Sequence, residues 1–290
     1  MAERWSSICN DAAIGPQGIP TSKVELSISC RNLVDLDILS KSDPQCFVYQ
    51  KDLYHDRFYE IGRTEEIRDN LNPDFVKKII LDYNFESVQK LRFELWDIDP
   101  VGKEFLGQSE TTLGEIVAYR GRQFKKPLVG VAKGRNYGEI IVVVEELVAN
   151  KQVVKLQLKG SGIKGGFFFS CSPFLTIWKS NEDNTYSVVH KTEVCKSTNA
   201  PLWRSFTCPL RSLCNGDVDR QIRIDCMNYK YHGNHKLIGS FNTSLRRLQE
   251  SSPYDNVYSL SHPRKPSKSR GKVEVIAVEI SEESSFLGKP

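Results

Sequence analysis

The sequence predicts an all-β protein made of two tandem antiparallel β-sandwiches with eight strands each. One observation is a series of eight short alternating or β-branched runs within about 125 residues after position 23. The other is that this series repeats, since RTEEIRDNLNPDF (63–75) matches KTEVCKSTNAPLW (191–203), and EFLGQSETTL (104–113) matches KLIGSFNTSL (236–245). A spacing of about 130 residues is too long for a solenoid repeat and suits tandem domains.

The first domain is predicted to cover residues 23–148, after a flexible leader at 1–22 that is rich in glycine and proline. Residues 112–119 are the one segment expected to form a short helical turn. Its strands are predicted at 23–30, 45–51, 58–63, 75–81, 90–97, 105–112, 126–130 and 138–147.

The second domain is predicted to cover residues 151–282, followed by a tail at 283–290. Its strands are expected at 152–159, 174–179, 186–194, 203–209, 221–228, 237–243, 256–260 and 272–280.

Composition and charge restrict the class of protein. The 290 residues suffice for two domains and contain no run of ~18 apolar residues, so neither a membrane span nor a signal peptide is expected. Eight cysteines without a CxxC pair favour reduced thiols in a cytoplasmic protein. Residues 23–148 carry a net charge of −4, whereas residues 151–250 carry +8, so the two domains are expected to meet different electrostatic partners.

An acidic strand end is the most informative stretch of the chain. Asp97 and Asp99 are two residues apart in an extended segment, so their carboxylates point to the same side, and the following turn can return Glu104 toward them. Like charges at 4 Å repel by roughly 1 kcal/mol per pair in water and by about 4 kcal/mol at an effective dielectric constant of 20. Oxygen ligands on a flexible loop suit calcium, although a turn of solvated acids is the open alternative.

Several motifs resemble the tandem C2 domains of the copine family. In the first domain these are SCRNLVDLDILSKSDP (29–44), YEIGRTEEIRDNLNPDFVKK (59–78), LRFELWDID (91–99) and FLGQSETTLGEIV (105–117). In the second they are SLCNGDVDRQIRIDC (212–226) and HKLIGSF (235–241). A complete copine continues into a von Willebrand A domain, which this sequence lacks, so the metal-dependent adhesion site of that domain is not carried over.

The resemblance implies a calcium site in the first domain. Loop acids of C2 domains correspond here to Asp37, Asp43, Asp97, Asp99 and Glu104, with glutamate standing where the family usually has aspartate.

Three apolar residues, Ile38, Leu39 and Val101, lie at the tips of the same loops. They either pack on each other or enter lipid once calcium has neutralised the acidic rim.

The second domain departs from this pattern. The equivalent positions hold Gly166, Ser172, Asn228, Lys230 and Lys236, so calcium binding is not expected there, because an ammonium group has no lone pair to offer a metal ion. Loop 1 of this domain instead carries three consecutive aromatic residues, Phe167, Phe168 and Phe169. At least one of them is expected to enter the core. Those that remain exposed would resemble an interfacial anchor for membranes beside the two lysines.

Enzymatic and nucleic-acid functions find little support in the sequence. The five histidines show no metal-ligand spacing, no GxSxG, Walker or Rossmann fingerprint is present, and no small-molecule substrate is indicated. The resemblance implies a cytoplasmic, calcium-responsive protein that binds anionic phospholipid at the plasma membrane. A basic segment at 261–272 leaves a nuclear location open. The alternative function is a calcium-independent adaptor that binds protein partners and carries a vestigial acidic site.

Overall fold

The computed structural model describes residues 13–14, 20–36, 40–52, 56–100, 102–165, 171–250 and 256–282. The chain divides into two compact units, Met1–Leu147 and Val148–Pro290. Each unit contains two antiparallel sheets, which confirms the prediction of an all-β protein with two sandwiches. None of the helices among these residues is long and apolar enough to cross a membrane.

The described residues of the first unit form nine strands, one more than predicted, because a two-residue strand pairs with the start of the second strand. One sheet has the order β1-β2-β9-β8, with β5 also paired to β2, and the other has the order β4-β3-β6-β7. The strands are β1 (Ala13–Ile14), β2 (Pro20–Arg31), β3 (Pro44–Lys51), β4 (Phe58–Arg63), β5 (Ile79–Asn84), β6 (Lys90–Asp99), β7 (Gly102–Thr112), β8 (Gln123–Pro127) and β9 (Glu139–Glu146).

In the second unit, the part of the chain that the structure describes forms eight strands, the predicted number. Its sheets have the orders β13-β10-β17-β16 and β12-β11-β14-β15. The strands are β10 (Gln152–Ser161), β11 (Pro173–Ser180), β12 (Tyr186–Lys191), β13 (Phe206–Pro209), β14 (Ile222–Asn228), β15 (Lys236–Thr243), β16 (Val257–Ser259) and β17 (Lys272–Glu282).

Strand β6 shows how the core positions the acidic residues. Leu91, Phe93 and Leu95 are buried, while the residues between them are partly exposed, so alternate side chains fill the core between the two sheets. Asp97 continues this inward series and is only 1% exposed. The hydrophobic pattern of the strand therefore delivers a carboxylate to the end of the core.

Strand β14 repeats this arrangement in the second unit. Ile222, Ile224 and Cys226 are buried in the core, and Asn228 follows at the end of the inward series with 7% exposure. The two units therefore place Asp97 and Asn228 at matching points of their sandwiches.

Three short helices lie within the described ranges. The predicted helical turn is α1 (Leu113–Val117), which begins with a reciprocal capping box between Thr112 and Glu115. Two further helices, α2 (Leu210–Cys214) and α3 (Leu245–Glu250), were not predicted. Each is about one turn long and is held by buried leucines, so its sequence has no helical periodicity to detect.

The seven cysteines in the described part of the chain are free thiols, and six of them are buried. Burial raises the pKa of the Cys208 thiol to about 12, so this side chain stays protonated at neutral pH. The buried cysteines consequently act as small apolar core residues.

Candidate functional site

The candidate site lies where three loops of the first unit meet at one end of the sandwich. We define them as loop 1 (32–43), loop 2 (64–78) and loop 3 (97–104). Loops 1 and 2 are joined by backbone hydrogen bonds, in which the Leu33 N–H donates to the Leu71 carbonyl at 2.9 Å and the Asn70 N–H donates to the Ser42 carbonyl at 3.1 Å. Loop 3 is joined to loop 1 through the N–H of Ile98, which donates to the Asp43 carbonyl at 3.1 Å.

A chain of three aspartates connects the loops. The Asp43 N–H donates to Asp97 Oδ1 at 2.6 Å, and the Asp69 N–H donates to Asp43 Oδ1 at 2.7 Å. Asp69 has a positive φ of 52°. The backbone of loop 1 is thus fixed by a carboxylate of loop 3, and the backbone of loop 2 by a carboxylate of loop 1, so Asp43 and Asp97 are held close together.

The β6–β7 hairpin places the remaining predicted ligands. Asp97 pairs with Glu104 and Asp99 pairs with Gly102, so the register places the three acids on one face of the hairpin. The intervening cation, Lys103, is on the opposite face, where its Nζ lies 4.1 Å from the centre of the Trp96 ring. The lysine in this loop therefore does not neutralise the acids.

The electrostatics of this end favour a bound cation. Burial raises the pKa of the Asp43 carboxyl above its ordinary value, and the charges of Asp69, Asp97 and Glu66 raise it further, against the opposing hydrogen bond from the Asp69 N–H. Among the described residues, Asp43, Asp99 and Glu104 form no ion pair. Hard carboxylate oxygens with no balancing charge are the donor set that calcium takes.

The structure brings some of the predicted ligands together and not others. Asp43 and Asp97 are in contact, but within the described ranges no three acidic, histidine or cysteine side chains form a group that could hold a metal ion. Asp37 and the predicted membrane-contact residues Ile38, Leu39 and Val101 lie outside those ranges.

The second unit contains the same chain of hydrogen bonds, formed there by uncharged side chains. The Ser172 N–H donates to Asn228 Oδ1 at 3.0 Å, and the Ser197 N–H donates to Ser172 Oγ at 3.2 Å. Ser197 also has a positive φ of 49°. Two serines and an asparagine therefore preserve the hydrogen bonds of the three aspartates while removing all of their charge.

Loop 3 of the second unit (228–236) carries cations where loop 3 of the first unit carries acids. Lys236 pairs with Asn228 in the β14–β15 register, just as Glu104 pairs with Asp97. Lys230 is exposed at the turn of this loop. The predicted aromatic anchors Phe167, Phe168 and Phe169 lie outside the described residues.

His235 stabilises this cationic loop and was missed in the sequence. Its Nδ1 accepts the Lys230 N–H at 3.2 Å, and its ring packs 5.1 Å from the ring of Phe174 and 5.0 Å from that of Tyr229. Burial lowers the pKa of His235, and the charge of Lys191 lowers it further. The neutral imidazole is therefore the form that holds the loop.

Asp69 was also missed, although the repeat contains the signal. The match between residues 63–75 and 191–203 aligns Asp69 with Ser197, and these two residues occupy equivalent positions in the two hydrogen-bond chains. Asp69 lies in loop 2 and is not among the ligand positions that the family resemblance implies, so a comparison of those positions alone does not include it.

Comparisons with known proteins agree on the family. The sequence pattern described as "C2 domain" matches residues 24–128 and 147–260. Copine-A of Dictyostelium discoideum is 36% identical over 273 residues, which cover 92% of this chain and 45% of the relative. The chain therefore spans about half the length of that curated relative.

Solved structures with a similar arrangement of strands are more distant. BON1-C2B aligns with 24% identity and a TM-score of 0.41, covering 46% of this chain and 93% of the other. The calcium-bound C2A and C2B domains of Extended-Synaptotagmin 2 align with 16% identity and a TM-score of 0.34, covering 90% of this chain and 98% of the other.

Proposed function

The chain belongs to the copine family and carries two C2 domains, and on this basis we propose that it is a calcium-responsive peripheral membrane protein. In this proposal the first C2 domain attaches to anionic phospholipid when calcium rises, and the second attaches without calcium. The protein acts by binding rather than by catalysis, and it moves between the cytoplasm and the plasma membrane.

The contrast between the two loop ends is the observation that carries the proposal. The hydrogen-bond chain through Asp43 and Asp97 is retained in the second domain with Ser172 and Asn228. Charge is therefore not needed to build the loops. The fold does not require these carboxylates, and they repel one another when no cation is present. Binding of a cation explains why they are there.

Five residues would hold the calcium: Asp37, Asp43, Asp97, Asp99 and Glu104. When bound, calcium supplies positive charge and open coordination positions that lipid phosphate oxygens can fill. The protein residues fix the geometry of the loops and provide the negative charge that makes the attachment depend on calcium. Ile38, Leu39 and Val101 at the loop tips would then contact the lipid.

The second domain would add a permanent electrostatic attraction. Lys230 and Lys236 occupy positions equivalent to two of the proposed calcium ligands of the first domain, Asp99 and Glu104, and each lysine near an anionic leaflet contributes about 1 kcal/mol. The aromatic residues Phe167, Phe168 and Phe169 would add apolar contact. This attraction is expected to be weak and to fall with increasing salt.

Vesicle sedimentation tests the proposed function. The full chain is mixed with vesicles of phosphatidylcholine and phosphatidylserine, either in millimolar calcium or in EGTA, and with pure phosphatidylcholine vesicles as the control. We expect the sedimented fraction to rise strongly with calcium on the anionic vesicles only. Equal sedimentation in calcium and EGTA would contradict the calcium switch, and no sedimentation in either condition would support the calcium-independent adaptor.

Glu104 provides a finer test of the ligand set. Glu104→Gln removes the charge and is expected to weaken calcium binding, whereas Glu104→Asp keeps the charge and restores the residue usual in the family. Titration calorimetry with calcium measures both affinities. Glu110→Gln, a charge removal farther along the same strand, is the matched control. If Glu104→Gln binds calcium as tightly as the wild type, Glu104 is an exposed surface acid and not a ligand.

A further inference from the structure

A basic loop connects the last two strands of the second domain. Residues 262–270, which we call the basic loop, have the sequence HPRKPSKSR and contain no acidic residue. Residues 263–269 are all exposed. The loop holds one histidine and four cations: Arg264, Lys265, Lys268 and Arg270.

The basic loop contacts the backbone at the end of the sandwich where loop 1 of this domain begins. The Lys164 N–H, near the start of loop 1 of this domain (162–172), donates to the Arg270 carbonyl at 3.1 Å. Gly271 has a positive φ of 107°, and a Cβ there would lie 2.7 Å from the Gly162 carbonyl oxygen, so the two backbones meet in close contact. The basic loop therefore shares one end of the sandwich with loop 1.

The backbone of the basic loop is folded by its own hydrogen bonds. The Lys265 N–H donates to the His262 carbonyl at 2.9 Å, and the Lys268 N–H donates to the Lys265 carbonyl at 3.2 Å. The Arg264 N–H donates to Nδ1 of His262 at 3.1 Å. These turns do not use the cationic groups, which leaves them available to a ligand.

No counter-charge meets these cations within the described part of the chain. None of Arg264, Lys265, Lys268 and Arg270 forms an ion pair there. The Nε of Arg270 is buried and has no hydrogen-bond partner among the described residues. Four cations without a balancing charge on one loop attract an anionic partner.

The equivalent loop of the first domain differs, so the basic loop is not a requirement of the fold. There Gly138 precedes β9 as Gly271 precedes β17, and a Cβ on Gly138 would lie 2.5 Å from the Arg31 carbonyl oxygen. The cation Arg135 is engaged, because its guanidinium lies 6.0 Å from the Tyr137 ring centre and donates to the Asp35 carbonyl at 3.5 Å.

We propose that the basic loop is a binding site for the phosphate groups of anionic membrane lipids. This inference rests on the proposed function and adds to it a contact separate from Lys230 and Lys236. A membrane is favoured as the partner because the loop is fastened beside loop 1, at the end equivalent to the lipid-facing end proposed for the first domain. Each cation at an anionic leaflet is expected to change affinity about fivefold.

Charge reversal in the full chain tests this site in EGTA. Lys265→Glu combined with Lys268→Glu is compared with Lys125→Glu combined with Lys151→Glu, which makes the same change in net charge away from the loop end. Sedimentation is measured on phosphatidylcholine vesicles with phosphatidylserine or with phosphatidylinositol 4,5-bisphosphate. Soluble inositol hexakisphosphate, titrated by calorimetry, separates recognition of a free phosphate from recognition at a bilayer.

We expect the basic-loop variant to bind anionic vesicles at least about tenfold more weakly, with the control variant changed less than about threefold. Weak calorimetric binding of inositol hexakisphosphate beside strong vesicle binding identifies the lipid surface as the source of the phosphate. The proposal would be overturned if both variants lost vesicle binding equally. It would also be overturned if the basic-loop variant kept its vesicle binding and lost only binding to duplex DNA, which is offered as a competing probe.

The same measurements separate this inference from the proposed function. If the wild type sediments only in calcium and never in EGTA, the basic-loop proposal fails while calcium-dependent attachment stands. If calcium has no effect but the basic-loop variant loses binding in EGTA, the calcium switch fails and the basic loop stands.

Discussion

Asp97→Asn combined with Asp99→Asn should abolish calcium binding by the first C2 domain without unfolding it. The asparagine amide oxygen can accept the Asp43 N–H as the carboxylate does at 2.6 Å, so the hydrogen-bond chain is kept. The second domain shows that this replacement is tolerated, because Asn228 accepts the Ser172 N–H at 3.0 Å. Two charges at the centre of the ligand set are nevertheless removed, and a hard cation loses its strongest donors.

Thermal unfolding measures both halves of this prediction. Calcium that binds only the folded loops stabilises the wild type by about 2.7 kcal/mol at a hundredfold excess over the dissociation constant, and the Tm rises accordingly. The double variant is expected to show no calcium-dependent rise. In EGTA its Tm should equal or exceed that of the wild type, because the charge of Asp97, which adds to the effect of burial in raising the pKa of Asp43, is removed.

The matched control removes two acids from the other end of the same domain. Asp82→Asn with Glu86→Gln changes the net charge equally, and both residues lie at or beyond the end of β5 that is far from the loops. This control should keep the full calcium response. A wild-type Tm that does not respond to millimolar calcium would rule out the calcium site, and a loss of response in the control would show that net charge alone is responsible.

The strands could be predicted from sequence because burial alternates along them. In β6 the apolar residues Leu91, Phe93 and Leu95 mark the inward face directly, and the same alternation extends to Asp97. Because the sequence repeats, the same strand assignment applies to the second domain, where Asn228 occupies the position that matches Asp97.

The hydrogen-bond chain could not be predicted in the same way. Asp69 and Asp43 are far apart in sequence, and their contact depends on a positive φ at Asp69 that an aspartate tolerates but does not signal. The role of His235 depends on which ring nitrogen meets the Lys230 N–H, which is a property of the folded turn. Helices α2 and α3 are too short for periodicity to reveal them.

The two domains illustrate how one scaffold supports two electrostatic states. Position by position, Asp43, Asp69 and Asp97 correspond to Ser172, Ser197 and Asn228, with each hydrogen bond retained. In the proposed function, the first state binds a cation before it attaches to an anionic surface, and the second attaches without one. The retained hydrogen bonds show that charged and uncharged side chains are compatible with the same loop contacts.

Trp203→Ala should produce the largest loss of stability in the second domain. Trp203 is 1% exposed, and its Nε1–H donates to the Pro173 carbonyl at 3.4 Å, next to Ser172 in the loop scaffold. Truncation of a buried tryptophan leaves a cavity and typically costs about 3–5 kcal/mol. Trp203→Phe should cost less, because the equivalent position of the first domain is filled by Phe75, which is 0% exposed.

Differential scanning calorimetry of the full chain resolves this effect. The transition of the second domain is expected to shift to lower temperature, while the calcium-dependent transition of the first domain keeps its position. Leu202→Ala is the matched control, because the neighbouring Leu202 is 58% exposed and its truncation should change stability by less than about 0.5 kcal/mol. If Trp203→Ala shifts the transition no more than Leu202→Ala, the tryptophan does not anchor the core beneath the loops, and the scaffold through Ser172 and Asn228 must be held by the strands alone.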